Sequence, residues 1–286
     1  MKLSADGISF AYGRSRSKAS ASGGATDAGK RRLDSTRTRP ILDAVAADIV
    51  PGSFLAIIGV NGCGKSTFLN CLDGILAPQS GRILVDDRDL QSIGRTERAQ
   101  AISYVTQDSQ AGRTTVYDAL MLGRKPFIDG APTESDHEVV ERVITRMGLE
   151  ALALRYVDEL SGGQRQKVSI ARALVQCQSI LLLDEPTNNL DLANQLEVMG
   201  FVRSVVDEDG IAAAAVMHDI NLALAFCDRF LALKDGSAIA YGGSEIITEH
   251  LLEAVYGIEA DIIEHAGRRI VIPRACKQPA PDKETE

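Results

Sequence analysis

The chain has 286 residues, of which 45% are apolar and 24% charged, and a net charge of −8. This is ample for a full hydrophobic core and ordinary for a soluble globular protein, and no run approaches the ~20 consecutive apolar residues that span a bilayer. The acidic balance argues against a general nucleic-acid binder.

Along the chain, residues 3–12 read as a strand. Residues 13–40 are rich in Ser, Arg, Gly and Ala and almost without large apolar side chains, so a flexible insertion is expected. Its stretch 14–39 holds eight basic side chains (Arg14, Arg16, Lys18, Lys30, Arg31, Arg32, Arg37 and Arg39) against Asp27 and Asp34, a net +6 that leaves −14 for the rest. The insertion reads as solvated; the sharper alternative is contact with anionic lipid headgroups or an acidic partner. Residues 41–49 and 54–58 read as strands, 65–73 as a helix entered from a glycine-rich turn, and 82–85 and 102–105 as short strands. From 114 to 156 the apolar spacing turns helical, through Val116, Leu120 and Met121, then Val139, Val143 and Met147. A helix over 162–175, a buried strand over 180–183, a helix over 193–206, a strand over 213–217 and a helix over 221–227 follow. Residues 230–241 read as a hairpin turning at Asp235-Gly236. A helix over 249–256 and two short strands end the pattern. Strands alternating with helices imply a mainly parallel sheet covered on both faces, interrupted by an all-helical stretch.

Of the five cysteines, none forms a CxxC pair or a zinc spacing. Cys71, Cys177 and Cys227 lie in apolar runs and read as small buried hydrophobes of a reducing compartment. The first residues lack the apolar stretch of a signal peptide, so a cytosolic location is expected, with any membrane role exerted through a partner.

Three segments carry chemistry. Gly59-Val60-Asn61-Gly62-Cys63-Gly64-Lys65-Ser66-Thr67 matches the phosphate-loop pattern G-x-x-x-x-G-K-[ST] between a strand and a helix. Its glycines let backbone N–H groups curl around phosphate oxygens, and the helix N-terminus adds positive partial charge. Lys65 is suited to the β- and γ-phosphates of ATP and Ser66 to Mg²⁺. Ile180-Leu181-Leu182-Leu183-Asp184-Glu185 is an apolar strand ending in two carboxylates. Asp184 is suited to hold Mg²⁺ through water, and Glu185 to polarise an attacking water. Leu160-Ser161-Gly162-Gly163-Gln164 offers a second set of hydroxyl and glycine N–H groups at a helix start.

This last segment matches in full the LSGGQ signature of ATP-binding-cassette (ABC) ATPases, which the chain resembles over residues 1 to about 243, apart from the insertion. The resemblance implies a RecA-like P-loop core with a mainly parallel sheet, an antiparallel β subdomain and an inserted α-helical subdomain. It also implies that Ser161, Gly162, Gly163 and Gln164 close over the nucleotide of a second copy, in a head-to-tail homodimer. By the same likeness, Gln107 is the lid glutamine that touches Mg²⁺ and senses the γ-phosphate, and Asn189-Leu190-Asp191 the turn that crosses the dimer interface. His218 is the switch histidine at the γ-phosphate, and Tyr12 the aromatic that stacks on adenine, with Phe10 as its neighbour. No catalytic position is substituted, so a competent ATPase is expected.

Finer details resemble importers of iron–siderophore, haem and cobalamin complexes: Leu122-Gly123-Arg124-Lys125-Pro126, Met217-His218-Asp219-Ile220-Asn221-Leu222-Ala223, and the tail from Leu251 to Pro273. The expected division is an ATPase domain over 1–245, with 108–157 as its helical subdomain, and a small extension over 246–286. The implied partners are a membrane permease, which would dock near Gln107 and hold the chain at the cytoplasmic face of the membrane, and indirectly a substrate-binding protein. The alternative is a soluble cassette ATPase in cytosolic assembly, such as iron–sulfur cluster biogenesis, without a permease.

Overall fold

A computed structural model describes residues 1–12, 40–106, 113–176 and 178–276. The basic insertion at 14–39, Gln107 and Cys177 therefore lie outside the described residues. In chain order the strands are β1 (Leu3–Phe10), β2 (Leu42–Ile49), β3 (Phe54–Ile58), β4 (Ser80–Val85), β5 (Arg88–Asp89), β6 (Ile102–Val105), β7 (Ile180–Asp184), β8 (Ala212–Val216), β9 (Arg229–Lys234), β10 (Ser237–Gly242), β11 (Ile258–His265) and β12 (Arg268–Cys276). The helices are α1 (Lys65–Asp73), α2 (Arg95–Ala101), α3 (Val116–Gly123), α4 (Glu134–Arg146), α5 (Gly162–Gln176), α6 (Leu192–Asp209), α7 (Ile220–Phe226) and α8 (Glu249–Tyr256).

The central sheet has six strands in the order β10-β9-β3-β8-β7-β6. Its pairs β9–β3, β3–β8, β8–β7 and β7–β6 are parallel, and β10 is antiparallel to β9. A four-stranded antiparallel sheet, β2-β1-β4-β5, and the hairpin β11-β12 complete the strands. Side chains of a strand alternate between faces, and here the alternation separates two cores. Phe54, Ala56, Ile58, Leu181, Leu183, Ala213 and Ala215 face the core shared with α3 to α8. Leu55, Ile57, Ile180, Leu182, Ala212 and Ala214 face the core shared with α1 and the antiparallel sheet. Being covered on both faces, β3 and β8 are wholly buried apolar runs, and β7 is one that ends in the buried Asp184. The helical run α3 and α4, with α5 behind them, stands between β6 and β7 in sequence.

Helix α2 was not expected from sequence. Arg95-Thr96-Glu97-Arg98-Ala99-Gln100-Ala101 buries only Ala101, so it has no apolar stripe to read. The closing strands are also longer than anticipated: β11 and β12 form a hairpin of eight and nine residues.

Candidate active site

The phosphate loop bridges the end of β3 and the start of α1, and two of its glycines are dictated by contact. Gly59 has φ 149°, and a Cβ there would lie 2.3 Å from Leu233 O and 2.8 Å from Cys63 Sγ. Gly64 has φ 105°, and its Cβ would meet Ile41 O at 2.8 Å. Any side chain would push the loop off the strands behind it. Lys65 is buried, and its Nζ donates to Gly59 O at 2.8 Å and to Val60 O at 2.9 Å. The ammonium is thus tied to the loop it would serve, with a third donor in hand.

The carboxylates at the end of β7 divide into two settings. Asp184 is buried; its Oδ1 accepts from Ser66 Oγ at 2.9 Å and its Oδ2 from Tyr104 Oη at 3.2 Å. Burial pushes its pKa above the usual carboxylate value, against the pull of those two hydrogen bonds and of Lys65, while Glu185 next door adds to the rise. Burial and the Asp184 charge likewise push the Tyr104 phenol well up, so Tyr104 stays a donor. Glu185 is mostly covered, its side chain 15% exposed against 41% for His218. Its Oε1 lies 2.6 Å from His218 Nε2, and its Oε2 accepts from Asn188 Nδ2 at 3.0 Å. The backbone of Glu185 is left-handed, with φ 52°.

These groups surround one open cavity of about 630 Å³. Asn61, Gly62, Gly64, Lys65, Ser66 and Thr67 line it, with Glu185, Asn188 and His218, and Ile41 completes the wall. The structure therefore brings the phosphate loop, the acidic strand end and His218 together. Tyr104 and Asn188 were missed by sequence reasoning. Asn188 carried a signal in its place three residues after Glu185; Tyr104 did not, because nothing local says that β6 lies beside β7.

The signature residues do not line this cavity. Ser161 and Gly162 are exposed at the start of α5, where Ser161 N–H donates to Gln164 Oε1 at 3.1 Å and Gln164 N–H to Ser161 Oγ at 3.3 Å. This reciprocal cap is the S-x-x-Q box at work. A Cβ on Gly163 would touch the Asn194 side chain at 3.1 Å, and Asp191 in turn accepts from Asn194 N–H at 2.9 Å. The signature and the Asn189–Asp191 turn are thus neighbours within one chain. Tyr12 is 55% exposed and meets Phe10 edge-on at 5.0 Å, outside the cavity lining, while Phe10 is buried.

Among the described residues no cluster of three or more His, Cys, Asp or Glu side chains could cage a metal. The Ser66 and Asp184 oxygens nevertheless fit Mg²⁺, which is commonly held by one or two protein oxygens together with substrate phosphates. No helix among the described residues is long and apolar enough to cross a membrane.

Known proteins resemble this chain over most of its length. The family model described as ABC transporter matches residues 42–188. An uncharacterized ABC transporter ATP-binding protein of Methanocaldococcus jannaschii is 44% identical, over 96% of this chain and 98% of its own length. The hemin import ATP-binding protein of Bordetella avium is 36% identical over 82% of this chain and 94% of its own. The ferric enterobactin transport ATP-binding protein of Escherichia coli is 35% identical, over 84% and 91%. Among solved structures, a transporter assigned to the metal-chelate ABC type, in an inward-facing conformation, is similar with TM-score 0.75 and 27% identity, over 96% of this chain and 97% of that one. A dimeric ATP-binding cassette in a post-hydrolysis state with ADP and Pi is similar with TM-score 0.69 and 26% identity, over 84% and 98%.

Proposed function

The chain belongs to the ABC transporter family as an ATP-binding, ATP-hydrolysing component, and we propose that it drives import of a metal chelate (an iron–siderophore, haem or cobalamin) through a separate membrane permease. The observation that carries the hydrolytic part of this reading is the pairing of Glu185 with His218 across the cavity from the phosphate loop. The hemin and ferric enterobactin relatives support the class of cargo, as does the likeness to the metal-chelate type transporter. They are import or transport proteins, which weighs against permease-free assembly of iron–sulfur clusters.

In this reading the loop amides from Asn61 to Thr67 and the N-terminus of α1 bind the β- and γ-phosphates, and Lys65 adds a positive charge held in place by its two carbonyl bonds. Ser66 and Asp184 are the residues that would hold Mg²⁺. When bound, that ion neutralises charge developing on the β- and γ-oxygens. Glu185 polarises the attacking water, and His218 orients Glu185 and meets the γ-phosphate. Tyr12 stacks on adenine from the edge of the cavity. Residues 161–164 serve the site of a second copy, a role that suits the exposure of Ser161 and Gly162 and the absence of all four from this chain's own cavity lining. Leu192 and Leu196, 69% and 46% exposed at the start of α6 beside that signature, supply apolar surface for such a pairing. Residues 1–245 act as the nucleotide-binding unit, 108–157 as the part that meets the permease at the cytoplasmic face of the membrane, and 246–286 as an extension.

Glu185→Gln tests the assignment. It keeps the shape and the Asn188 contact but removes the basic oxygen, so ATP turnover falls by roughly 10²-fold or more, and ATP-bound dimer accumulates in gel filtration. Turnover at the wild-type rate would show Glu185 to be a bystander.

A further inference from the structure

The C-terminal hairpin is fastened to the switch region by one side chain. Asn221 Nδ2 donates to Val271 O at 3.0 Å, and Val271 N–H donates to Asn221 Oδ1 at 2.8 Å. A primary amide thus fills both backbone positions of a β12 residue, as a neighbouring strand would. Val271 is 4% exposed, so neither of its backbone groups has ready recourse to bulk water. On its other side Val271 is paired with Ile262 of β11.

The other end of this bond lies in the first turn of α7, three residues after His218. Helix α7 has only seven residues, too few to hold a helical conformation by itself. Its start is set by Asp219, whose Oδ1 accepts from Leu222 N–H at 2.9 Å. Upstream, β8 is tied to β3 by Met217 N–H donating to Ile57 O at 3.0 Å. His218 occupies the short joint between these two fixed points, with its Nε2 2.6 Å from Glu185 Oε1. A continuous run of contacts therefore leads from the hairpin through Asn221 and the capped turn to the imidazole.

We propose that Asn221 is a positioning residue: by clamping Val271 it holds the first turn of α7 and so sets His218 against Glu185, which makes the C-terminal hairpin part of the active-site scaffold. The proposal rests on the reading of His218 given above. Asn221 does not line the cavity, so its loss acts on turnover and leaves nucleotide binding in place.

A double-mutant cycle in the full chain tests it, with ATP turnover measured over a range of ATP concentrations for Asn221→Ala, His218→Ala and the double variant. Asn221→Ala lowers kcat about tenfold with KM within about twofold, and in the His218→Ala background it costs less than about twofold. Val271→Pro, which removes the N–H from the far side of the same bond, gives the same pattern and serves if Asn221→Ala does not fold. A wild-type kcat in whichever of the two folds overturns the proposal. So does a loss of equal size with and without His218, which would mark Asn221 as generally structural. Wild-type turnover of His218→Ala would instead overturn the reading of His218 itself.

Discussion

Glu185 and Asp184 are adjacent carboxylates with opposite surroundings. Asp184 ends a buried strand and is met by two hydroxyls; Glu185 turns out of the strand at φ 52° toward His218 and Asn188. A left-handed backbone at a residue other than glycine costs on the order of 1 kcal/mol or more and persists only where the surroundings over-determine it. Here β7 on one side and the Asn188 and His218 contacts on the other do so. A third carboxylate, Asp73 at the last position of α1, is placed unfavourably for the helix dipole. Burial lifts its pKa from 3.8 to about 6, with Arg98 pulling the other way. The folded chain then binds more protons than the unfolded chain between those two values. The contribution of Asp73 to stability therefore falls as pH rises through that window and is level above it. Asp73→Asn removes this penalty, on the order of 2 kcal/mol, and raises the thermal midpoint at pH 7.5 by about 5 °C, an advantage that shrinks toward pH 4. A midpoint at pH 7.5 equal to or below that of the unmodified chain would count against it.

Helices α3 and α5 account for the Leu122-Gly123-Arg124-Lys125-Pro126 segment. A Cβ on Gly123 would stand 2.4 Å from Arg172 O and 2.6 Å from Val175 Cγ2, so the two helices meet where only glycine fits. Arg124 follows immediately; its Nη1 donates to Val175 O at 2.9 Å, its Nε to Asp136 Oδ1 at 3.1 Å, and its guanidinium lies 4.1 Å above the Phe127 ring. Asp136 also caps α4 through Thr133, and the Thr133 amide and hydroxyl, then Arg124, hold its carboxyl below the usual range. One short segment thus joins α3, α4 and the far end of the helix that begins at the signature. Gly123→Ala overpacks this joint and costs about 1–3 kcal/mol, seen as a drop of several degrees in the thermal midpoint. An unchanged midpoint would mean that α3 can shift freely against α5. The sequence placed α1, α8 and β6 at their observed bounds, because caps and apolar runs are local signals. It passed over α2, whose helicity comes from its place against β6 and the 3₁₀ turn at Lys125–Phe127 and not from a stripe of its own.

At the scale of the whole molecule, the phosphate loop and the signature do not share a cavity, which is what the proposed pairing with a second copy expects. The head-to-tail arrangement makes a prediction that neither motif makes alone. Lys65→Ala and Ser161→Arg are each inactive as pure chains, the first for want of the phosphate grip, the second for want of the cap on the partner's nucleotide. Mixed in equal amounts they regain about a quarter of wild-type turnover, since half of random pairs are hybrid and each hybrid holds one intact site. If both motifs served one nucleotide in the same chain, mixing would restore nothing, and phosphate release from the mixture decides between the two arrangements.

Much of this protein was legible without coordinates. The phosphate loop, the acidic strand end and the signature are contiguous stretches whose chemistry depends on residues next to one another, and the alternation of strands and helices announced a parallel sheet covered on both faces. What required the tertiary structure were the relations between distant segments. Tyr104 meets Asp184 only because β6 pairs with β7. Gly59 and Gly64 are obligatory because Leu233 and Ile41 stand behind them. Asn221 finds Val271 across fifty residues of chain. The physical reason is the same in each case. Propensity, capping and loop patterns are written within a few residues, whereas a hydrogen bond or a close approach between strands is decided by which surfaces the core brings together.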